Sequence, residues 1–477
     1  MSVLDDKFNS EQNAPFIAQS VDHLFSESYL QLKDMITRHD SLHSKRLLRL
    51  EQTYLGYNHG INARDTRDPE LADYRATHDF AKFISDFITG YVVGNAVTYT
   101  HQNKNTENEI LDFNELNDIE THDFNMVEDC SIYGRAYELM YRNEHDEDKL
   151  VQVSPFNAFM IHDNTLEKRE LAGVVYFHER DKDDKLTTNI TVYTPTHNYS
   201  FVIDDGEVHQ TEPPKPHYYG KVQLNEWSGN RFMTCDFEHV LDLFDLYDMA
   251  QSDTANYMTD LNDALLKIEG NVKLDPDEAK KMKQARIIVA KSEVDAQGGT
   301  SNVNVDYIYK KYDVAGVEAY KDRIKQDIHM LTYTPNLADD NFTGVQSGEA
   351  MKYKMTSLEQ VRAKKERHFV KSLKKRYSLL GNLLSKQNRG DELRKLKIEF
   401  TPNIPHTKKE LIDVFNSLGG ELSQKTIMSI LTFIDDPEAE LQALEAEREN
   451  TQENEPDEYE QGAVVEEPKA IEEPKSK

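Results

Sequence analysis

Two cysteines, Cys130 and Cys235, are all that 477 residues carry. They stand far apart and without a metal-type partner spacing. This argues against a disulfide scaffold and fits a reducing compartment. No run of about 18 apolar residues occurs, so no membrane span and no membrane partner are expected. The opening MSVLDDKFNSEQNA has neither a basic start nor an apolar stretch, and no signal peptide is expected. Positive charge is scarce: 56 Lys and Arg stand against 86 Asp and Glu, for a formal net charge of −30. A chain this acidic is not built to grip nucleic acid by neutralising phosphates, though it can surround nucleic acid without sticking to it. The expectation is a soluble protein made inside the cell.

Catalytic signatures are also missing. Gly90 and Gly94 resemble a fragment of a nucleotide loop, but no GK[ST] follows. Ser154 has no triad partners. His39, His43 and His59 have no carboxylate or cysteine at a recognised metal spacing. No catalytic residue, metal or cofactor is assigned.

What is present is a polar globular chain, 38% hydrophobic and 30% charged, long enough for several cores. Residues 1–22 read as loosely held. Helical periodicity covers 26–57, 73–88, 107–117 and 121–133, and GYVVGNAVTYT reads as a turn into a strand ending near Thr100. From 135 to 210 the period changes to two. AYELMY, KLVQV, AFMIHD, AGVVYFHE, TTNITVYT and YSFVID read as strands of a mostly antiparallel sheet, joined by turns such as DKDDK and DDGE. With the preceding helices this makes an α+β fold. KVQLNEW reads as a last strand.

The strongest helical pattern spans 236–268. Val240, Leu243, Tyr247, Ala250, Thr254, Tyr257, Leu261, Leu265 and Ile268 share one stripe at 100° per residue. Asp242, Asp245, Asp253, Asp260 and Asp263 cluster opposite. A small α/β insert of some 45 residues follows, then a helix over 314–333 with Val317, Tyr320, Ile324, Ile328 and Leu331 on one face. A long helix over 347–386 is basic in its later half, from Arg362 to Arg376. That half suits either nucleic acid or the acidic face of a neighbouring helix or subunit. Three short helices over 408–448 suit a small helical domain, and the acidic, Pro-bearing end from about 450 is expected to be disordered.

Between the last two long helices lies TPNLADDNFTGVQSG, residues 334–348. Pro335 ends one helix and Ser347 starts the next. The loop is polar, carries Asp339 and Asp340, and holds one aromatic, Phe342. Its residues admit two readings: a surface loop whose Phe tucks back into the fold, or an exposed functional loop.

Five stretches together resemble the portal proteins of tailed bacteriophages, of the type common in phages of Gram-positive bacteria. They are FISDFITGYVVGNAVTY, SIYGRAYELMY, SPFNAFMIHDN, DFEHVLDLFDLYDMAQSDTANYMTDLNDALLKIEG and DRIKQDIHMLTYTPNLADDNFTGVQSGEAMKYKM. They cover most of residues 70–380, and their order and spacing carry the likeness. The resemblance implies a multi-domain portal fold. Residues 1–235 are then an α+β wing, 236–269 and 314–333 long stem helices, and 270–313 a small α/β clip. Residues 334–348 are the tunnel loop, 349–406 a long wing helix with a returning strand, and 407–448 a helical crown, followed by the acidic tail of 449–477.

The resemblance further implies a ring homo-oligomer, usually of twelve subunits, at one capsid vertex of a virion assembled in the host cytoplasm. Double-stranded viral DNA passes through its axis. Implied partners are the terminase large subunit, a head-completion adaptor, scaffold and the major capsid protein. The tunnel loop is expected to reach DNA through Asp339, Asp340, Asn341, Phe342, Thr343, Val345 and Gln346. Asp253, Asp260 and Asp263 are expected to line the channel. Leu243, Tyr247, Tyr257, Leu261, Ile324 and Ile328 are expected at the subunit interface. Another oligomeric virion or scaffold protein is an alternative, as is a metal-dependent nuclease built on the many carboxylates.

Overall fold

The computed structural model describes residues 10–69, 71–180, 185–260, 265–269, 304–308, 313–336, 355–384 and 395–403, with a few isolated positions elsewhere. Of residues 265–269 and 304–308 only the backbone is described. Residues 1–403 form one compact unit and 404–477 a second, whose described residues 441, 443 and 444 are helical. The three crown helices, the tail and the tunnel loop otherwise lie outside the described residues, as does most of the insert between 270 and 303.

The chain is mixed α+β, as expected. Its strands are β1 (Phe16–Ala18), β2 (Thr98–Thr100), β3 (Ala136–Arg142), β4 (Asp148–Val153), β5 (Ala158–Asp163), β6 (Glu170–Arg180), β7 (Leu186–Tyr193), β8 (His197–Asp204), β9 (Glu207–Gln210), β10 (Lys215–Pro216), β11 (Leu224–Trp227), β12 (Leu265–Glu269), β13 (Asn304–Ile308) and β14 (Lys397–Glu399). Its longer helices are α1 (Leu30–Arg38), α2 (Ser44–Tyr54), α3 (Phe80–Val93), α4 (Lys104–Leu116), α5 (Ile119–Tyr133), α6 (Leu241–Asp260), α7 (Val314–Thr332) and α8 (Thr356–Leu384).

The strand-rich region makes two sheets rather than one. The larger runs β1-β5-β6-β7-β8-β10, with β9 also on β8, and the smaller runs β11-β3-β4. All pairings are antiparallel except β1 with β5. A strand at 16–18 was not expected in a segment read as loose. Its burial supplies the reason, since Phe16 and Ala18 are 1% and 2% exposed and join the core.

β5 and β6 from Ala172 to Tyr176 are buried on both faces, which is why AGVVY reads as a continuous apolar run. On one face Phe159, Val174 and Tyr176 pack with Leu32, Met35 and Ile36 of α1. On the other, Met160 and Val175 pack with Tyr137 and Leu224 of the smaller sheet. Gly173 permits this second contact, because a Cβ there would collide with the Leu224 side chain.

Three helices depart from their expected bounds. The pattern over 26–57 is one line interrupted by a π turn at His39–His43, which joins α1 to α2. Residues 72–79 form neither helix nor strand, and α3 begins only at Phe80. It runs through Gly90 to Val93, because Tyr91, Val92 and Val93 continue its buried face. That burial outweighs the roughly 1 kcal/mol a mid-helix Gly costs. α6 ends at Asp260 rather than near 268, and β12 pairs antiparallel with β13. LLKIE fits either period, so its distant partner NVDYI decides. α5 ends as expected at Gly134, whose φ of +81° suits glycine.

Candidate functional site

α6 and α7 are the helix pair that flanks the insert. They pack against each other. Lys321 Nζ on α7 donates to Gln251 Oε1 on α6 at 2.9 Å. At the α6 entry, His239 Nε2 lies 3.1 Å from the Leu331 carbonyl oxygen. Glu238, just before α6, is bound by Arg46 through Nε and Nη2 at 2.7 and 2.6 Å.

The buried line of α6 changes character along its length. Val240 and Phe244 begin it, and Asp248, Ser252 and Asn256 continue it at 1%, 0% and 3% exposure. Buried polar side chains need partners. Here they meet segment 74–78, which is neither helix nor strand. Tyr74 N–H donates to Asn256 Oδ1 at 2.6 Å, and Ala76 N–H donates to Ser252 Oγ at 3.0 Å. His78 Nδ1 lies 2.7 Å from Asp248 Oδ1, and Asn58 Nδ2 donates to Asp248 Oδ2 at 2.6 Å. The spacing is commensurate. Four helical residues advance about 6.0 Å and two extended residues about 6.6 Å. A helix row at i, i+4 and i+8 therefore stays in step with alternate residues of a strap.

The aspartates expected on a solvated face are partly engaged. Asp253 is 54% exposed and pairs with Arg64 at 2.9 Å. Asp245 lines a small polar cleft with Arg49, His59, His78 and Asp248, and burial raises its carboxyl pKa. Asp260 closes α6, but its side chain lies outside the described residues, as do Leu261 and Asp263. Asp339, Asp340, Asn341, Phe342, Thr343, Val345 and Gln346 also lie outside them.

Of the expected interface residues, Leu243, Tyr247 and Tyr257 are half-buried. Tyr247 sets its ring edge-on to His78 and Phe80, with centroids 4.8 and 5.1 Å away. Ile324 and Ile328 are 4% and 0% exposed, so their surface is already used inside the chain. The apolar side chains turned outward are Leu246, Met249 and Met258 on α6, and Val314, Tyr320, Met330 and Leu331 on α7.

α8 sorts its cations by face. Arg376 is fully buried. Its Nη2 lies 2.7 Å from Glu138 Oε2, and its Nη1 lies 2.7 Å from Asp123 Oδ1 without hydrogen-bond alignment. Its guanidinium also sits 5.1 Å from the Trp227 ring centroid. His122 and Asn225 complete the Glu138 shell at 2.9 and 2.6 Å. Lys365 pairs with Asp236 at 2.8 Å, both nearly buried. Lys375 pairs with Glu170 and donates to the Leu224 carbonyl at 2.8 Å. Arg362 bridges Glu359 and Glu366 along the helix. These pairs tie α8 to α5, β3, β6 and β11. None of them, among the described residues, uses the aspartates of α6.

His39 and His43 stand on the π turn inside the core, 0% and 1% exposed, against Phe16 and Phe159. His39 Nδ1 lies 2.7 Å from Tyr176 Oη. Burial, reinforced by neighbouring cations, lowers both pKa values, His43 to about 3. Among the described residues no three His, Cys, Asp or Glu side chains gather to hold a metal. No described helix is long and apolar enough to cross a membrane.

The described residues thus form a mixed α+β body with the α6–α7 pair around an insert and a long helix pinned to its sheets. Residues 33–454 match the family described as "Phage portal protein, SPP1 Gp6-like", and the chain belongs to that family of phage portal proteins. Among curated relatives, the portal protein of Bacillus phage SPP1 is 23% identical over 401 residues, which is 80% of this chain and 77% of that one.

Proposed function

We propose that this chain assembles into a ring at one vertex of a phage capsid, with double-stranded DNA packaged and ejected through its axis. The carrying observation is the family match across residues 33–454, which takes in both helices of the pair and the loop between α7 and α8. In this reading the ring has twelve subunits. The insert between α6 and α7 is the clip, docking the terminase large subunit and later the head-completion adaptor. Scaffold and major capsid protein meet the ring from the head side. The chain supplies a conduit and docking surfaces, and the terminase supplies the chemistry.

Asp253, Asp260 and Asp263 are assigned to the channel lining. A conduit for a polyanion must not hold it, because each neutralised phosphate adds sequence-independent affinity. The Asp253–Arg64 pair moderates this charge at one position. A closed ring needs a heterologous interface, and the outward apolar residues of α6 and α7 suit it. Ile324 and Ile328 support that surface from beneath. Asp339 to Gln346, centred on Phe342, are assigned to a collar that touches DNA.

The test is Phe342→Ala in a phage complementation assay. Rings of normal size with impaired DNA packaging or retention are expected. Normal packaging by the variant removes the collar role.

A further inference from the structure

The outer face of α8 carries a row of cations that form no ion pair among the described residues. Lys364, Arg367, Lys371 and Lys374 are all exposed. At 100° per residue they fall within about 80° of the helix circumference. They span ten helical steps, or about 15 Å. Ser357 and Gln360 precede them on the same line, and both are exposed. No carboxylate lies on that line. The opposite face holds Lys365, Phe369, Ser372, Leu373 and Arg376, all buried.

The contrast with the other α8 cations is sharp. Arg362, Lys365, Lys375 and Arg376 each pair with a carboxylate of the same chain. Lys364, Arg367, Lys371 and Lys374 make no ion pair with any described residue. A chain with 86 acidic residues has ample carboxylates to neutralise four exposed cations. A row with no paired carboxylate among the described residues concentrates positive potential on one strip.

A neighbouring copy is the other possible source of anions, and α6 is the chain's most regular row of aspartates. Among the described residues that helix already uses several of its aspartates within the chain. Asp248 is buried against His78 and Asn58, Asp253 is paired with Arg64, and Asp245 faces the cleft beside Arg49. The fit is therefore to a flexible-register anion from outside the protein, and a row of phosphates supplies it. Lys and Arg contacts to phosphate fix position without reading sequence.

We propose that Lys364, Arg367, Lys371 and Lys374 form a phosphate-backbone contact for double-stranded DNA, independent of base sequence. The inference rests on the reading of the chain as a DNA conduit, and it confines attraction to one strip while the carboxylate-lined part repels. Lys and Arg are interchangeable in this role, because only charge is used.

The experiment measures association of the full-length protein with a labelled 30-base-pair duplex of mixed sequence, across a salt series. Oligomeric state is followed in parallel by analytical ultracentrifugation. The wild type is expected to bind at low salt. Four neutralised phosphates give a log–log salt slope at least as steep as about −3.6. The variant with all four residues changed to Gln is expected to lose at least about tenfold in affinity and most of that slope, with unchanged oligomeric state. The variant with the three lysines changed to Arg is expected to bind like wild type.

Three outcomes overturn the proposal. They are failure of the wild type to bind duplex at low salt, equal binding by the Gln variant, and a Gln variant whose assembly falls while its DNA affinity stays. The last makes the row a subunit contact. None of the three touches the conduit reading, which DNA packaging by wild-type protein in phage complementation tests separately.

Discussion

Arg376 and Glu138 lie 2.7 Å apart with side chains 0% and 1% exposed, and they join the long helix to the smaller sheet. Removing one partner of such a pair strands a buried charge. Arg376→Met is expected to cost about 3–5 kcal/mol of stability. The measurement is the urea midpoint followed by fluorescence of Trp227, the single tryptophan, which sits against Arg376. Adding Glu138→Gln and Asp123→Asn is expected to recover part of the loss. An unchanged midpoint in the single variant contradicts the pinning role.

The same pair sets an acid limit. Burial alone would raise the Glu138 carboxyl, but Arg376 and His122 outweigh it and hold it below the usual carboxylate range. The depressed folded pKa means its stabilisation is present above the unfolded value near 4.3. It is lost as pH falls further toward the folded value.

His39 and His43 act at higher pH. Their folded pKa values are depressed, so the folded state keeps them neutral while the unfolded state takes up protons below about 6.5. Stability is therefore expected to fall as pH drops from about 6.5 toward the value near 3 for His43. One such histidine costs about 2 kcal/mol at pH 5. The check is Tm against pH from 7.5 to 4.5 for wild type and His43→Gln. The variant curve is expected to be flatter. Parallel curves contradict the assignment.

The ladder between α6 and segment 74–78 makes local predictions. Asn256→Ala frees the Tyr74 amide, and Ser252→Ala frees that of Ala76. Each loses about 1–2 kcal/mol of local protection. Hydrogen exchange at those two amides should rise roughly tenfold in the matching variant and stay unchanged in the other. Equal exchange in both variants rules out the one-to-one ladder.

The sequence carried the α+β class, the period-two strand region and the α6–α7 pair, because each rests on local periodicity. It did not carry the ladder. Asp248, Ser252 and Asn256 are polar at helical spacing, and such residues read as solvated unless the strap that covers them is known. The strap, in turn, read as the start of a helix over 73–88. β12 was hidden for a related reason: Leu265 and Ile268 extend the α6 stripe, and only pairing with 304–308 marks them as strand. The basic half of α8 was visible as a composition bias, but its division into a buried paired face and an exposed row with no ion pair among the described residues needs three dimensions. Ile324 and Ile328 are buried within the chain, while Tyr320 and Leu331, expected on the same helix face, are exposed. Phe342 and the loop around it rest on family resemblance, not on residue chemistry.

The most direct test of the central claim is electron microscopy of the purified full-length protein. Class averages are predicted to show closed rings with rotational symmetry and a central hole wide enough for a DNA duplex. Monomers, open filaments or solid particles without an axial hole would contradict the account.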